Sequence, residues 1–255
     1  MRPTPLHPIK TRGKTLGAPK PLVCISLIDS QELIICEEAK RTIQLAPDII
    51  ELRIDAWDFI EDVETSLSTI KEVRKIVKDV PIILTCRGHW EGGFKEVSDE
   101  AKFSLYEKAV KLKLVDYIDI ELAYGEEKIQ KAKELLKGTS TYLIVSFHDF
   151  EKTPPEEELY SIMASEIKAG AHVAKLAVMP KKEEDVLALL AATLSTRRDF
   201  PEVPLITMSM GELGSLSRVI GGKFGSDLTF AVGNKESAPG QIPVTKLKQC
   251  LDALF

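Results

Sequence analysis

Long apolar runs are missing from this 255-residue chain. None approaches the roughly 18 residues that a membrane span needs, so no interaction with a bilayer is expected. Cysteine is sparse: Cys24, Cys36, Cys86 and Cys250 are scattered and form no CxxC pair. That spacing argues against a zinc site or a disulfide framework. It fits reduced thiols in a cytoplasmic protein, with Cys24 and Cys86 inside apolar, strand-like runs. Neither sign of charge dominates, the formal net charge being −5 with no basic stripe, so no nucleic-acid partner is expected. Histidine is also scarce. His7, His89 and His172 show no HxH or HxxxH spacing, and no metal is expected. The opening MRPTPLHPIKTRGK has basic residues but no apolar segment after them, so a secretory signal is not expected.

What the chain does contain is alternation. Eight short runs rich in Val, Ile and Leu recur: Leu22–Ile28, Ile49–Ile54, Ile82–Cys86, Tyr117–Leu122, Tyr142–Phe147, His172–Val178, Leu205–Met210 and Leu228–Val232. Helical patterns lie between them. Val63, Leu67, Ile70 and Val73 repeat at helical spacing, as do Ile129, Ala132 and Leu136. Thr153-Pro154-Pro155-Glu156 reads as a capping-box start, and Gly138 and Gly170 sit where helices should stop. Strands alternating with helices pair in parallel, because each crossover returns the chain to the same sheet. Eight units predict an α/β fold, a (β/α)8 TIM barrel, for which about 250 residues is the usual size. An open doubly wound sheet is the alternative, but it usually has fewer strands, and no GxGxxG follows the first run here. No linker divides the chain. Residues 1–20 read as an N-terminal extension, a hairpin covering the bottom of the barrel, and residues 21–255 as the catalytic barrel.

Lys175 is the residue that points to chemistry. It lies in HVAKLAV, apolar on almost every side and with no charge near it in sequence. A desolvated lysine titrates downward, becomes a free amine near neutral pH and can form a Schiff base. A strand-end lysine that reaches water is the competing reading. In a barrel of this kind, chemistry sits at the carboxyl ends of the strands. Those ends carry Glu51 and Arg53, Arg87 with Glu91-Gly92-Gly93, Asp119 and Glu121, Ser146-Phe147-His148-Asp149, Lys175, Met208 to Gly211 with Arg218, and Ser237 to Gln241. Each has a bland alternative. Glu51, Arg53 and Arg87 could form a structural ion-pair network, and His148 could be a core histidine. Arg218 suits a carboxylate or a phosphate equally.

Six segments resemble one family in order and spacing: IIELRID (Ile49–Asp55), LTCRGHWEGG (Leu84–Gly93), VSFHDF (Val145–Phe150), HVAKLAV (His172–Val178), MSMGELGSLSR (Met208–Arg218) and SAPGQ (Ser237–Gln241). The chain resembles the type I 3-dehydroquinate dehydratases, the Schiff-base lyases of the shikimate pathway. The resemblance implies Lys175 as the Schiff-base lysine, His148 as general acid and base, and Glu91 as its orienting partner. Arg218 matches the clamp on the substrate carboxylate. Glu51, Arg53, Arg87, Ser237 and Gln241 match residues that hold ring hydroxyls and shape the loop over the site. The implied substrate is 3-dehydroquinate, the implied assembly a homodimer, and no cofactor is implied. Two rivals remain at this point: a class I aldolase on the same scaffold, and a barrel that binds the ligand as a sensor.

Overall fold

The computed structural model describes residues 2–255. A hairpin comes first: β1 (Ile9–Thr11) and β2 (Lys14–Leu16) pair antiparallel around Arg12 and Gly13, both at positive φ. Two left-handed residues are what a tight two-residue hairpin turn needs. Ile9 and Leu16 pack into the same buried cluster as Cys24, Ile49, Ile83 and Tyr117.

Eight strand–helix units follow. They are β3 (Leu22–Leu27) with α1 (Glu32–Ile43), β4 (Ile49–Arg53) with α2 (Val63–Val77), β5 (Ile82–Thr85) with α3 (Asp99–Lys111), and β6 (Tyr117–Glu121) with α4 (Gly125–Leu136). Then come β7 (Tyr142–Asp149) with α5 (Glu156–Lys168), β8 (Val173–Val178) with α6 (Glu183–Asp199), β9 (Leu205–Ser209) with α7 (Gly211–Phe224), and β10 (Leu228–Val232) with α8 (Val244–Leu254). A two-residue strand, β11 (Ile242–Pro243), precedes α8 and lies beside β10. The sheet order is β11-β10-β3-β4-β5-β6-β7-β8-β9, with every neighbouring pair parallel. β3, β4, β5, β6, β8 and β9 are buried along their whole length, as expected when helices cover the outer face and side chains fill the inside. This is the TIM-barrel-like architecture that the alternation predicts.

The sheet curls until β9 and β10 meet, but they share only one parallel bridge, Leu205 with Ser226. Side chains complete the seam. Thr207 N–H donates to Ser226 Oγ, and Leu205 N–H donates to Asp227 Oδ2. Arg2 and Arg197 both ion-pair with that buried aspartate.

Local signals are mostly kept. Asp62 caps α2 through Glu64 and Thr65 N–H, and Ser98 caps α3 through Ala101 N–H. Gly138 and Gly170 follow α4 and α5 at positive φ. The capping-box reading at residue 153 needs correction. α5 starts at Glu156 with Pro155 as its N-cap, and the buried Thr153 hydroxyl has no partner. The Glu156 N–H, the donor that a capping box would use, does not reach that hydroxyl. The four cysteines are free; Cys24 and Cys86 are buried, whereas Cys250 is exposed. No helix is long and apolar enough to cross a membrane among the described residues.

Candidate active site

Strand periodicity aims the polar residues inward. Alternate positions face the same side, so Glu51 and Arg53 project together from β4, Asp119 and Glu121 from β6, and Ser146 and His148 from β7. Register then sets their heights. Ser146 pairs with Glu121 on one side and with Lys175 on the other. At the carboxyl ends of the strands lies a cavity. Glu51, Arg53, Arg87, Glu91, His148, Lys175, Ser237 and Gln241 all line it.

Lys175 is 4% exposed, so its amine is not in bulk solvent. Its surroundings nevertheless differ from the charge-free strand that its sequence neighbours suggest. Nζ lies 2.8 Å from Asp119 Oδ2 and 3.4 Å from Glu51 Oε1, with the Phe230 ring centre 5.1 Å away. Ala174 and Leu176 face the other side of the sheet, while barrel closure brings acids from β4 and β6 to the inward-facing amine. Glu51 is itself held by Ser26 Oγ and Thr85 Oγ1. Burial would raise both carboxyls, but Lys175 and Arg53 outweigh it at Glu51, and Arg87 and Lys175 outweigh it at Asp119. Both carboxyls are held below their ordinary range, Asp119 far below.

Arg87 is the hub of this ion-pair network. Its guanidinium donates to Glu121 Oε1 (2.7 Å), Ser146 Oγ (2.8 Å) and Asp119 Oδ2 (2.9 Å). Arg53 makes a two-point pair with Asp55 and lies over the Phe94 ring.

His148 faces the same cavity. Glu91 Oε2 accepts from the His148 backbone N–H at 2.9 Å and lies 3.0 Å from ring Nδ1. Burial, then the charges of Arg87 and Lys175, hold His148 well below the ordinary imidazole range. Burial likewise pushes Glu91 up to about 8. Burial thus disfavours charge on both members of the pair. With a proton on Nδ1, the ring would donate to Glu91 and keep its lone pair on Nε2. Glu91 owes its place to a tight turn, in which a Cβ at Gly93 would stand 2.2 Å from the Arg87 carbonyl oxygen.

Arg218 is placed differently. It is buried but does not line the cavity. Its guanidinium donates to the Pro239 carbonyl at 3.0 Å, touches Met208 Sδ, and leaves Nε without a partner. Burial lowers it to about 10, so it stays charged at neutral pH. Ser237 and Gln241 bond to one another across the Pro239 turn.

A sequence model described as Type I 3-dehydroquinase matches residues 23–255. The chain belongs to that family. It is accordingly an enzyme, a lyase of the shikimate pathway. A 3-dehydroquinate dehydratase of Bacillus licheniformis is 42% identical over 246 residues, 96% of this chain and 97% of the relative. The crystal structure of the Geobacillus kaustophilus enzyme matches with a TM-score of 0.96 at 38% identity, covering 100% of this chain and 98% of that one. A Clostridium difficile type I enzyme, solved with covalently modified comenic acid, matches at 0.92 and 36% identity, covering 97% of each chain.

Two cavity residues of this type I family member, Ser26 and Phe230, escape the motif reading; they carry no signal beyond a polar or bulky residue in a strand. Asp119 is legible as a strand-end acid, but its contact with Lys175 across the barrel is not. Among the described residues, no group of three or more His, Cys, Asp or Glu is placed to hold a metal ion.

Proposed function

We propose that this enzyme converts 3-dehydroquinate to 3-dehydroshikimate through an imine on Lys175, with His148 as general acid and base and Glu91 orienting it. Family membership supports the overall reaction. The observation that carries the residue assignment is a buried primary amine and an imidazole facing one cavity.

The proton beside a ketone is too weakly acidic for imidazole to remove directly. Lys175 first adds to the carbonyl and expels water, giving an iminium, which is an electron sink next to the C–H bond. Nε2 of His148 then takes the proton and leaves a neutral enamine. The enamine pushes out the β-hydroxyl, which leaves as water with the proton held by His148. A second water hydrolyses the conjugated iminium and frees the amine. Water is released once and consumed once at the imine, so the net loss is the β-hydroxyl. As the imidazole gains charge at Nε2, Glu91 Oε2, 3.0 Å from Nδ1, keeps the ring oriented by hydrogen bonding. No cofactor is invoked, since the iminium supplies the sink.

Arg218 is assigned the substrate carboxylate, because its guanidinium is charged, buried and short of one acceptor. Reaching it requires the Pro239 carbonyl to yield. Glu51, Arg53, Arg87, Ser237 and Gln241 are assigned the ring hydroxyls and the cover of the site. The proposal extends to a cytoplasmic homodimer, with residues 1–20 closing the barrel bottom and residues 21–255 as the catalytic barrel.

Borohydride with 3-dehydroquinate, followed by peptide mapping, tests the assignment. An adduct on the peptide holding Lys175, absent in Lys175→Ala, is expected. An unmodified protein, or an adduct on another lysine, would remove Lys175 from the mechanism.

A further inference from the structure

Two side chains of α3 reach inward past the strands. Lys102 and Tyr106 lie one helical turn apart, and neither has any exposed surface. They meet β5 and β6 where the paired ladder ends, at Thr85 with Asp119. Beyond that point α3 bridges the two strands. The Tyr106 hydroxyl accepts from Cys86 N–H at 2.9 Å and donates to the Asp119 carbonyl at 3.0 Å. Lys102 Nζ donates to the Cys86 carbonyl at 2.8 Å and to Glu121 Oε2 at 3.1 Å. Its remaining side faces the Tyr124 ring, 4.2 Å away.

A wholly buried ammonium is costly unless its partners compensate for lost water. Neither Lys102 nor its partner Glu121 lines the cavity. Their effect must therefore pass through Glu121. The other oxygen of Glu121 holds Arg87 and the Gly88 N–H. Arg87 holds Asp119 Oδ2, and the same oxygen holds Lys175. A line of alternating charge thus runs from the helix layer to the amine: Lys102, Glu121, Arg87, Asp119, Lys175.

We propose that Lys102 is a positioning residue for the imine chemistry: by neutralising Glu121 it keeps Arg87 committed to Asp119, so that Asp119 divides its charge between Arg87 and Lys175. Tyr106 fixes the strand spacing that this line spans. The inference rests on Lys175 being the imine-forming amine. Burial opposes the charge on Lys102, but Glu121 outweighs it and holds the ammonium above its ordinary value, so Lys102 is a fixed cation at working pH. Without that cation, Glu121 attracts Arg87 more strongly and Asp119 is left to Lys175 alone. The amine then gives up its proton less readily. The other polar or charged groups facing this amine, Glu51 on β4, Arg87 beyond β5 and His148 on β7, are unchanged in composition, as is the Phe230 ring on β10.

The test uses the full chain with Lys102→Met, Lys102→Gln and Tyr106→Phe. kcat, KM, thermal midpoint and the pH profile of borohydride trapping with 3-dehydroquinate are measured for each. Both Lys102 variants should lose about tenfold or more in kcat with KM within about twofold, and their trapping should reach half its maximum at higher pH. Tyr106→Phe, which keeps every charge, should lower kcat without moving the trapping profile. Full recovery of the wild-type profile by Lys102→Gln would assign the effect to hydrogen bonding and overturn the charge role. A folded Lys102 variant with unchanged kcat and trapping would reduce Lys102 to a stabiliser of the fold. If neither Lys102 variant folds, Tyr106→Phe decides, and wild-type kcat in that variant overturns the proposal. Absence of the wild-type adduct at Lys175 would defeat the imine reading and this inference together; its presence beside an unmoved Lys102 profile defeats this inference alone.

Discussion

The Lys175 ammonium and the Arg87 guanidinium share one carboxylate oxygen, Oδ2 of Asp119, at 2.8 and 2.9 Å. The same carboxylate's Oδ1 accepts from Ser146 Oγ at 2.6 Å, which fixes its plane. Asp119 therefore influences both partners of the proposed chemistry. It holds the amine directly, and its charge also favours the protonated form of His148.

Asp119→Asn tests that double role. Losing the carboxylate charge makes proton release from the amine easier, so imine trapping should extend to lower pH. Charging the imidazole becomes harder, so kcat should fall about 10- to 100-fold at neutral pH. The shift in trapping is opposite in sign to that expected for the Lys102 variants. A trapping profile displaced to higher pH in Asp119→Asn would contradict the placement of this charge.

His148 should stay uncharged through the neutral range. Its ring proton resonances, assigned by their loss in His148→Ala, should show no titration between about pH 6 and 8. The linked stability has a definite sign. The folded-state value is depressed, so on acidification below about 6.5 the unfolded chain takes up a proton that the native site refuses, and stability falls. A ring that titrates at the ordinary imidazole value in the native protein would show that His148 is more hydrated than its surroundings imply.

Much of this site is legible in the sequence because the barrel converts strand periodicity into geometry. Glu51 and Arg53 stand two apart, as do Asp119 and Glu121, and each pair therefore shares a face. The strand bounds are legible for the same reason, since continuous apolar runs end at turn residues. β7 is the exception. It continues to Asp149 because β8 pairs with it as far as Val178, which places His148 within the strand and not after it. Partners across the barrel are less visible. Lys175 lies 56 residues from Asp119 and 124 from Glu51, and only closure of the sheet brings them together. Lys102 reads as a solvated helix lysine, since helical spacing does not say which polar residue turns inward. The hairpin strands are three residues each, too short for alternation to register.

Glu38 gives a stability prediction of opposite slope. It is buried on α1, and Asp29 N–H points to its Oε2 at 3.4 Å. Burial, then the charge of Asp29, push Glu38 up to about 7 from an ordinary 4.5. A raised carboxyl keeps its proton in the native state while the unfolded chain has already lost it. Its contribution is full below about 4.5 and is lost as pH rises toward about 7. Urea unfolding at pH 5 and pH 8 should show wild type losing on the order of 1–2 kcal/mol more than Glu38→Gln over that interval. Parallel losses in the two proteins would show that Glu38 is ionised in the native fold at both pH values.

The seam between β9 and β10 sets the last expectation. One parallel bridge is too little to close a barrel, and Asp227 replaces the missing rungs. Its carboxylate takes Leu205 N–H at 2.8 Å, Arg2 at 2.6 Å and Arg197 at 2.5 Å, all out of contact with water. Asp227→Ala strands two guanidinium groups and a strand N–H in the interior. Removing one partner from a buried ionic cluster costs about 3–5 kcal/mol, so the urea midpoint should fall sharply. Arg2→Ala should cost less, because Arg197 and Leu205 keep their acceptor. Asp227 precedes β10 and so lies at the amino end of the barrel, opposite the mouth. At low temperature, where Asp227→Ala is still folded, kcat and KM should stay within about twofold of wild type. An unchanged midpoint would show that the ladder closes the barrel without this aspartate. A collapse of kcat at unchanged stability would instead connect the seam to the chemistry at the far end.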